Sequence, residues 1–162
     1  MPTQTSTPEL TATPTPLLIP IGDEITTTVD ITATPERVWG VLTDTQWYDS
    51  GDNGVIRVEG SIEVGEKLTI YSEVNPGRAF PAEVRELTPA ERMVWGWSMP
   101  LGLFTGERVF SLEPIDGGTR LVMWEEFGGP LLPLIGRTMP DLQPSFDHFA
   151  SGLKKSAEAE IA

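Results

Sequence analysis

The sequence predicts an α+β domain: a seven-stranded, curved antiparallel sheet wrapped around one long C-terminal helix, with two short helices after the first strand. Three observations predict it. Between Val55 and Gly129, short β-prone runs alternate with Gly-, Pro- and Asp-containing turns, the pattern of a meander. Leu142, Phe146, Phe149, Leu153 and Ala157 then recur at helical spacing and fall on one helix face. The sheet has an apolar side and no second sheet to cover it, so that helix face is its natural cover.

The elements follow in order. Residues 1–22 are rich in Thr and Pro, and Pro2, Pro8, Pro14, Pro16 and Pro20 oppose both helix and sheet ladders. An extended or disordered arm is expected there, with Leu17–Ile19 as its apolar patch, and one folded domain over 23–162. Glu24–Ile31 is rich in β-branched residues and reads as a strand. Thr34 followed by Pro35 is a helix start, a hydroxyl cap with proline in the first turn. Val38, Trp39 and Leu42 give that helix an apolar face, and Asp44–Ser50 reads as a second short helix. Strands are expected at Val55–Glu59, Lys67–Val74, Ala79–Leu87, Arg92–Ser98 and Gly106–Glu113, with a strong turn at Asn75–Arg78. A break is expected at Gly128–Pro133. Pro140 and Pro144 warn of a late or kinked start to the last helix.

The seventh strand organises the rest. Asp116-Gly117-Gly118 tolerates positive φ and suits a tight turn. After it, Leu121, Met123, Glu125 and Phe127 share one side of a strand, so Glu125 is a lone carboxylate among apolar neighbours. Such a group is costly unless paired or facing water. If Leu112 opposes Leu121 in the hairpin, Phe110 opposes Met123 and Arg108 opposes Glu125. An inward Arg108–Glu125 pair follows, and a slip of one residue would put both charges outside.

The chain has 162 residues and a net charge of -13, from 24 acidic and 11 basic residues. An acidic surface repels phosphate backbones and anionic lipid, so neither nucleic acid nor membrane is an expected partner. No cysteine is present, which removes thiolate metal sites and cysteine nucleophiles. A single histidine, His148, lies off the apolar helix stripe and reads as a solvated helix residue. No metal site and no cofactor are expected; the Gly-x-Gly-x-x-Gly, phosphate-loop and Gly-x-Ser-x-Gly motifs are absent. Without a basic start and apolar run at the N-terminus, the expected location is cytoplasmic.

Several short motifs stand in a specific order: Ala33-x-Pro35-Glu36-x-Val38-Trp39, Ala82-x-Val84-x-Glu86-Leu87, Met93-Val94-Trp95, Leu112-Glu113-Pro114 and Gly118-Thr119-Arg120. Glu125-x-Phe127-x-Gly129 and Phe146-x-x-Phe149-x-x-Gly152-Leu153-Lys154 complete the set. Over about residues 24–160 this resembles the START-like polyketide cyclase/dehydrase superfamily, also called SRPBCC, with its helix-grip fold. The resemblance implies a cavity between sheet and long helix. Its expected lining is Tyr71, or Leu68 and Ile70, from one strand, then Val84, Met93, Trp95, Trp97 and Phe110, with Met123, Phe127, Phe146 and Phe149 completing it. These side chains also suit a solid core. In family terms Gly128–Leu134 lies at the entrance side. The apolar loop Ser98–Phe104 reads as a lid or as a contact between subunits, which leaves room for a homodimer.

Two functions follow as expectations. The first is binding of a hydrophobic or aromatic small molecule, with cyclase- or dehydratase-like chemistry that folds a flexible substrate inside the cavity. Glu125, Arg108 and Tyr71 are the candidate polar groups. The second is a non-catalytic protein–protein module with a filled core. An apolar void of roughly 300 Å³ or more favours the first, and a packed interior with an exposed apolar patch favours the second.

Overall fold

A computed structural model describes residues 25–50, 52–73, 76–135 and 141–159. The arm expected over 1–22 lies outside them, as does part of the turn expected at Asn75–Arg78. The element order is β1 (Ile25–Ile31), α1 (Pro35–Leu42), α2 (Thr45–Ser50), β2 (Val55–Glu59), β3 (Lys67–Ser72) and β4 (Ala79–Thr88). Then come β5 (Arg92–Ser98), β6 (Thr105–Ile115), β7 (Gly118–Gly128), α3 (Leu132–Ile135) and α4 (Gln143–Ala159). The strands form one antiparallel sheet in the order β1-β7-β6-β5-β4-β3-β2. Chain neighbours pair throughout except for β1, which crosses over to lie beside β7. The expected architecture is the observed one.

Local chemistry sets the elements. The Thr34 hydroxyl accepts from the Arg37 amide at 3.1 Å, and Pro35 occupies the first turn of α1. The β6–β7 hairpin turns through Gly117 at φ 82°. Its register is the one the alternation requires: Leu112 opposite Leu121, Phe110 opposite Met123, Arg108 opposite Glu125. Pro144 sits second in α4, where a missing N–H costs nothing. The break after β7 holds one unexpected element, the single-turn α3.

The helix α4 buries Phe146, Phe149, Leu153 and Ala157 against the sheet. Each large apolar side chain so buried stabilises by about 1.5–3 kcal/mol. A second contribution comes from α2, which pushes Trp47 and Tyr48 into the same space. Trp47, Tyr48 and Phe149 pack with centroids 4.8–5.9 Å apart, and Tyr48 also meets Trp95 at 5.8 Å. Phe110 lies 5.1 Å from Trp95 and 5.8 Å from Phe149. These rings fill the middle of the space between sheet and helix, where the open receptacle was expected. Two open surface concavities among the described residues, each about 650 Å³, lie away from this space. One is on the outer face around Asp30 and Arg120, the other between the start of α1 and the β4–β5 turn.

Candidate functional site

A transverse row crosses the sheet's inner face: Val84, Trp95, Arg108, Glu125 and Ile25 stand opposite one another on five adjacent strands. The next row holds Trp97, Gly106 and Phe127. Gly106 is required there, because a Cβ would lie 2.4 Å from the Trp97 ring. The indole therefore lies over Gly106, and its Nε1 donates to Glu125 Oε2 at 3.2 Å.

Arg108 Nε and Nη2 donate to Glu125 Oε1 at 3.1 and 2.5 Å. Glu125 is 4% exposed, while the Arg108 side chain keeps 28% of its surface. The pair answers the cost of a carboxylate among apolar neighbours: three donors hold it and a cation balances it. Both carboxylate oxygens are thereby committed. The guanidinium also lies 4.6 Å over the Phe146 ring, which joins the pair to α4.

Two further polar groups sit in the same neighbourhood. The Tyr48 hydroxyl donates to the Leu42 carbonyl at 2.7 Å. Burial pushes its pKa well above the ordinary phenol range, and the Arg108 charge offsets only part of that. Trp95 differs: its Nε1–H is fully buried and has no hydrogen-bond partner among the described residues. A buried donor left unpaired costs about 1–3 kcal/mol.

Beyond the pair the inner face opens. Trp97, Phe104 and Phe127 form an aromatic cluster with centroids 5.2–6.4 Å apart, Phe104 and Phe127 within 2° of parallel. Trp97 and Phe127 are half-buried. Two hydrogen-bonded loops form the lip: Met99 N–H donates to Phe104 O, and Leu131 N–H to Leu103 O, each at 2.9 Å. That lip carries Leu101 at φ 64° and 94% exposed, with Leu134 at 65%. A fully exposed leucine in the left-handed region is uncommon and marks a constrained loop.

The predicted site residues thus divide. Arg108 and Glu125 meet as expected. Val84, Met93, Trp95, Phe110, Met123, Phe146 and Phe149 are buried in the core, and Ile70 packs against it half-buried. Trp97 and Phe127 lie at the open end. Tyr71 is a correction. It alternates with the inward Leu68 and Ile70, and its ring carries the Arg57 guanidinium 4.0 Å away on the other face. It therefore stands apart from Arg108 and Glu125. Tyr48 was not expected in this space, and adjacent Trp47 and Tyr48 on a six-residue helix were the available signal; Phe104 comes from the apolar loop Ser98–Phe104 expected as a lid or subunit contact.

His148 is half-buried on the flank of α4, its Nε2 2.6 Å from Asp52 Oδ1. That contact holds the Asp52 carboxyl below its usual range. Gly152 brings the same loop close, since a Cβ there would meet the Asp52 carbonyl at 2.1 Å. The arrangement fastens the loop to the helix, away from the inner face. No helix among the described residues is long and apolar enough to cross a membrane.

The fold recurs widely. A hypothetical protein from Helicobacter pylori matches with a TM-score of 0.70 at 15% identity, covering 94% of this chain and 99% of its own. The Aha1 dimer from Colwellia psychrerythraea matches at 0.63 with 19% identity, over 86% of this chain and 98% of its own. DynU16, a protein of the dynemicin biosynthetic locus, matches at 0.63 with 18% identity over 85% of this chain and 48% of its own. At such identities the likeness shows the fold. No curated protein matches by sequence. The family model for polyketide cyclase/dehydrase and lipid transport proteins matches residues 23–158, and with the helix-grip architecture and its inner-face pair in place, this chain belongs to that family.

Proposed function

We propose that the chain binds an apolar or aromatic small molecule at the open end of the sheet's inner face, over Trp97, Phe104, Phe127 and Arg108. The observation that carries this reading is the Arg108–Glu125 pair, buried on its carboxylate side, partly exposed on its guanidinium side, and rimmed by aromatic rings. Apolar walls with a few fixed polar groups are what small-molecule sites are made of. The family description and the likeness to a protein of the dynemicin locus support it. Any cyclase-type chemistry here rests on orientation. Glu125, with both oxygens taken, acts as a fixed anion that holds Arg108, and Arg108 presents its remaining N–H groups to the ligand.

The test is titration with the neutral fluorescent probe N-phenylnaphthylamine. One saturable site is expected, weakened about tenfold by Phe127→Ser in a protein whose circular dichroism is unchanged. Unsaturable binding, or binding indifferent to Phe127→Ser, would count against it. A second reading is favoured by the ring packing of the interior together with the exposed Leu101 and Leu134, the combination expected of a protein–protein module: the lip seats another protein chain. In that case Leu101→Ser changes the sedimentation behaviour and leaves probe binding alone.

A further inference from the structure

We infer that the chain covers its own open end: Leu17–Ile19, from the arm that precedes β1, seat on the lip and on the Trp97, Phe104 and Phe127 rings, and a ligand must displace them to enter. The displacement rests on the binding reading above; the covering does not. The surface that takes the cover is preformed. Backbone hydrogen bonds tie the two lip loops, which hold Leu101 and Leu134 outward. Phe104 belongs both to the lip and to the aromatic cluster, so exposed leucines and half-open rings make one apolar surface.

The start of β1 decides which segment reaches it. Ile25 stands opposite Glu125, while β7 runs on through Phe127 to Gly128 with only β6 beside it among the described residues. Side chains of α4 pin that end of β1: Gln143 Nε2 donates to the Thr26 carbonyl at 2.9 Å, and Thr27 Oγ1 donates to Asp147 Oδ1 at 2.8 Å. The antiparallel pairing therefore aims the preceding chain past Phe127, at the open end. From Ile25, Trp97 lies three strands across and two residues further along, about 16 Å at ordinary sheet spacings. Leu18 is seven residues before Ile25, a reach of at most about 25 Å. The tether suffices, and so short a tether raises the local concentration of the segment to the order of millimolar.

Charge selects this occupant over a second copy. Glu9 is the sole charged side chain in residues 1–22, so nearly all of the net charge of -13 lies on the folded part, and two such domains repel. Leu17–Ile19 carry no charge. Pro16 and Pro20 flank them and restrict the backbone on both sides, so less entropy is lost on seating.

A nitroxide on Thr15→Cys in the full chain tests this, the sequence having no cysteine of its own. The Trp97 indole N–H peak should lose most of its intensity, while that of Trp47, bonded to Ser156 at the closed end, should keep it. Adding Leu17→Ser, Leu18→Ser and Ile19→Ser should restore the Trp97 peak. The same three changes without the label should tighten N-phenylnaphthylamine binding about tenfold, because the probe no longer competes with the arm. A Trp97 peak that survives the nitroxide overturns the inference, as does a loss the serines do not reverse, or equal probe affinity with and without them. Loss that appears on mixing a nitroxide-bearing chain with a separate nitrogen-15 chain assigns the contact to a second copy and overturns it too. If the probe binds neither chain, the small-molecule reading falls, and the nitroxide still decides the cover.

Discussion

At one end of the sheet's inner face, Phe110, Met123, Leu121 and Leu153 are shut away from water; at the other, Trp97, Phe127 and Arg108 remain partly open. Both ends are lined by large apolar side chains from the same strands. They differ in what lies above them. The closed end has two helices, α4 with Phe149 and α2 with Tyr48, whose rings interlock with Trp95 and Phe110. The open end has a loop lip, with Phe104 tucked beneath and Leu101 held outward. The Arg108–Glu125 pair marks the border. Residues of one chemical type are therefore shut from water where helices cover them and stay partly exposed where only loops do.

The largest expected effect lies at the closed end. Phe110→Ala removes a ring that touches Trp95 and Phe149, and should cost about 3–5 kcal/mol in urea unfolding. A loss below about 1 kcal/mol would mean the interior is looser than its ring packing indicates. At the border, Arg108→Met leaves Glu125 buried without its cation and should cost about 3 kcal/mol. Adding Glu125→Leu should recover most of that, bringing the double variant within about 1 kcal/mol of wild type. Additive losses would contradict the claim that the two charges exist for each other.

The smallest effect is peripheral and separates both ends from the surface. Hydrogen bonds from Arg120, His148 and Lys154 hold the carboxyls of Asp30, Asp52 and Glu158 below their ordinary values of 3.8, 3.8 and 4.5. A carboxyl lowered by folding adds stability above its unfolded value and loses it as pH falls through the folded one. Stability from these groups should be flat from pH 8 to about 5 and decline below about 4.5, with a modest slope because the pairs are exposed. A rise in stability on acidification through this range would contradict the assignment.

Much of this was legible in the residues. The β6–β7 register followed from one turn and one alternation, because a slip would have turned every apolar side chain outward. That is why Arg108 and Glu125 were found. The stripe on α4 likewise declared its own buried face. Tyr71 misled because KLTIYS carries large side chains on both parities, and only the stacked Arg57 shows which face it takes. The filled interior was not legible, since aromatic side chains suit a cavity and a core equally. It took the position of α2 to reveal that Tyr48 and Trp47 occupy the space. The unpartnered Trp95 Nε1 is a property of packing, and no local pattern announces it.

The most direct test follows the indole N–H resonances of the five tryptophans in a nitrogen–proton spectrum during titration with N-phenylnaphthylamine. Trp97, at the open end, should shift in a saturable way. Trp47, bonded to Ser156, and Trp124, bonded to Glu126 on the outer face, should stay in place. Saturation with Trp97 unmoved, or with the shift confined to Trp124, would contradict a ligand site at the open end of the inner face.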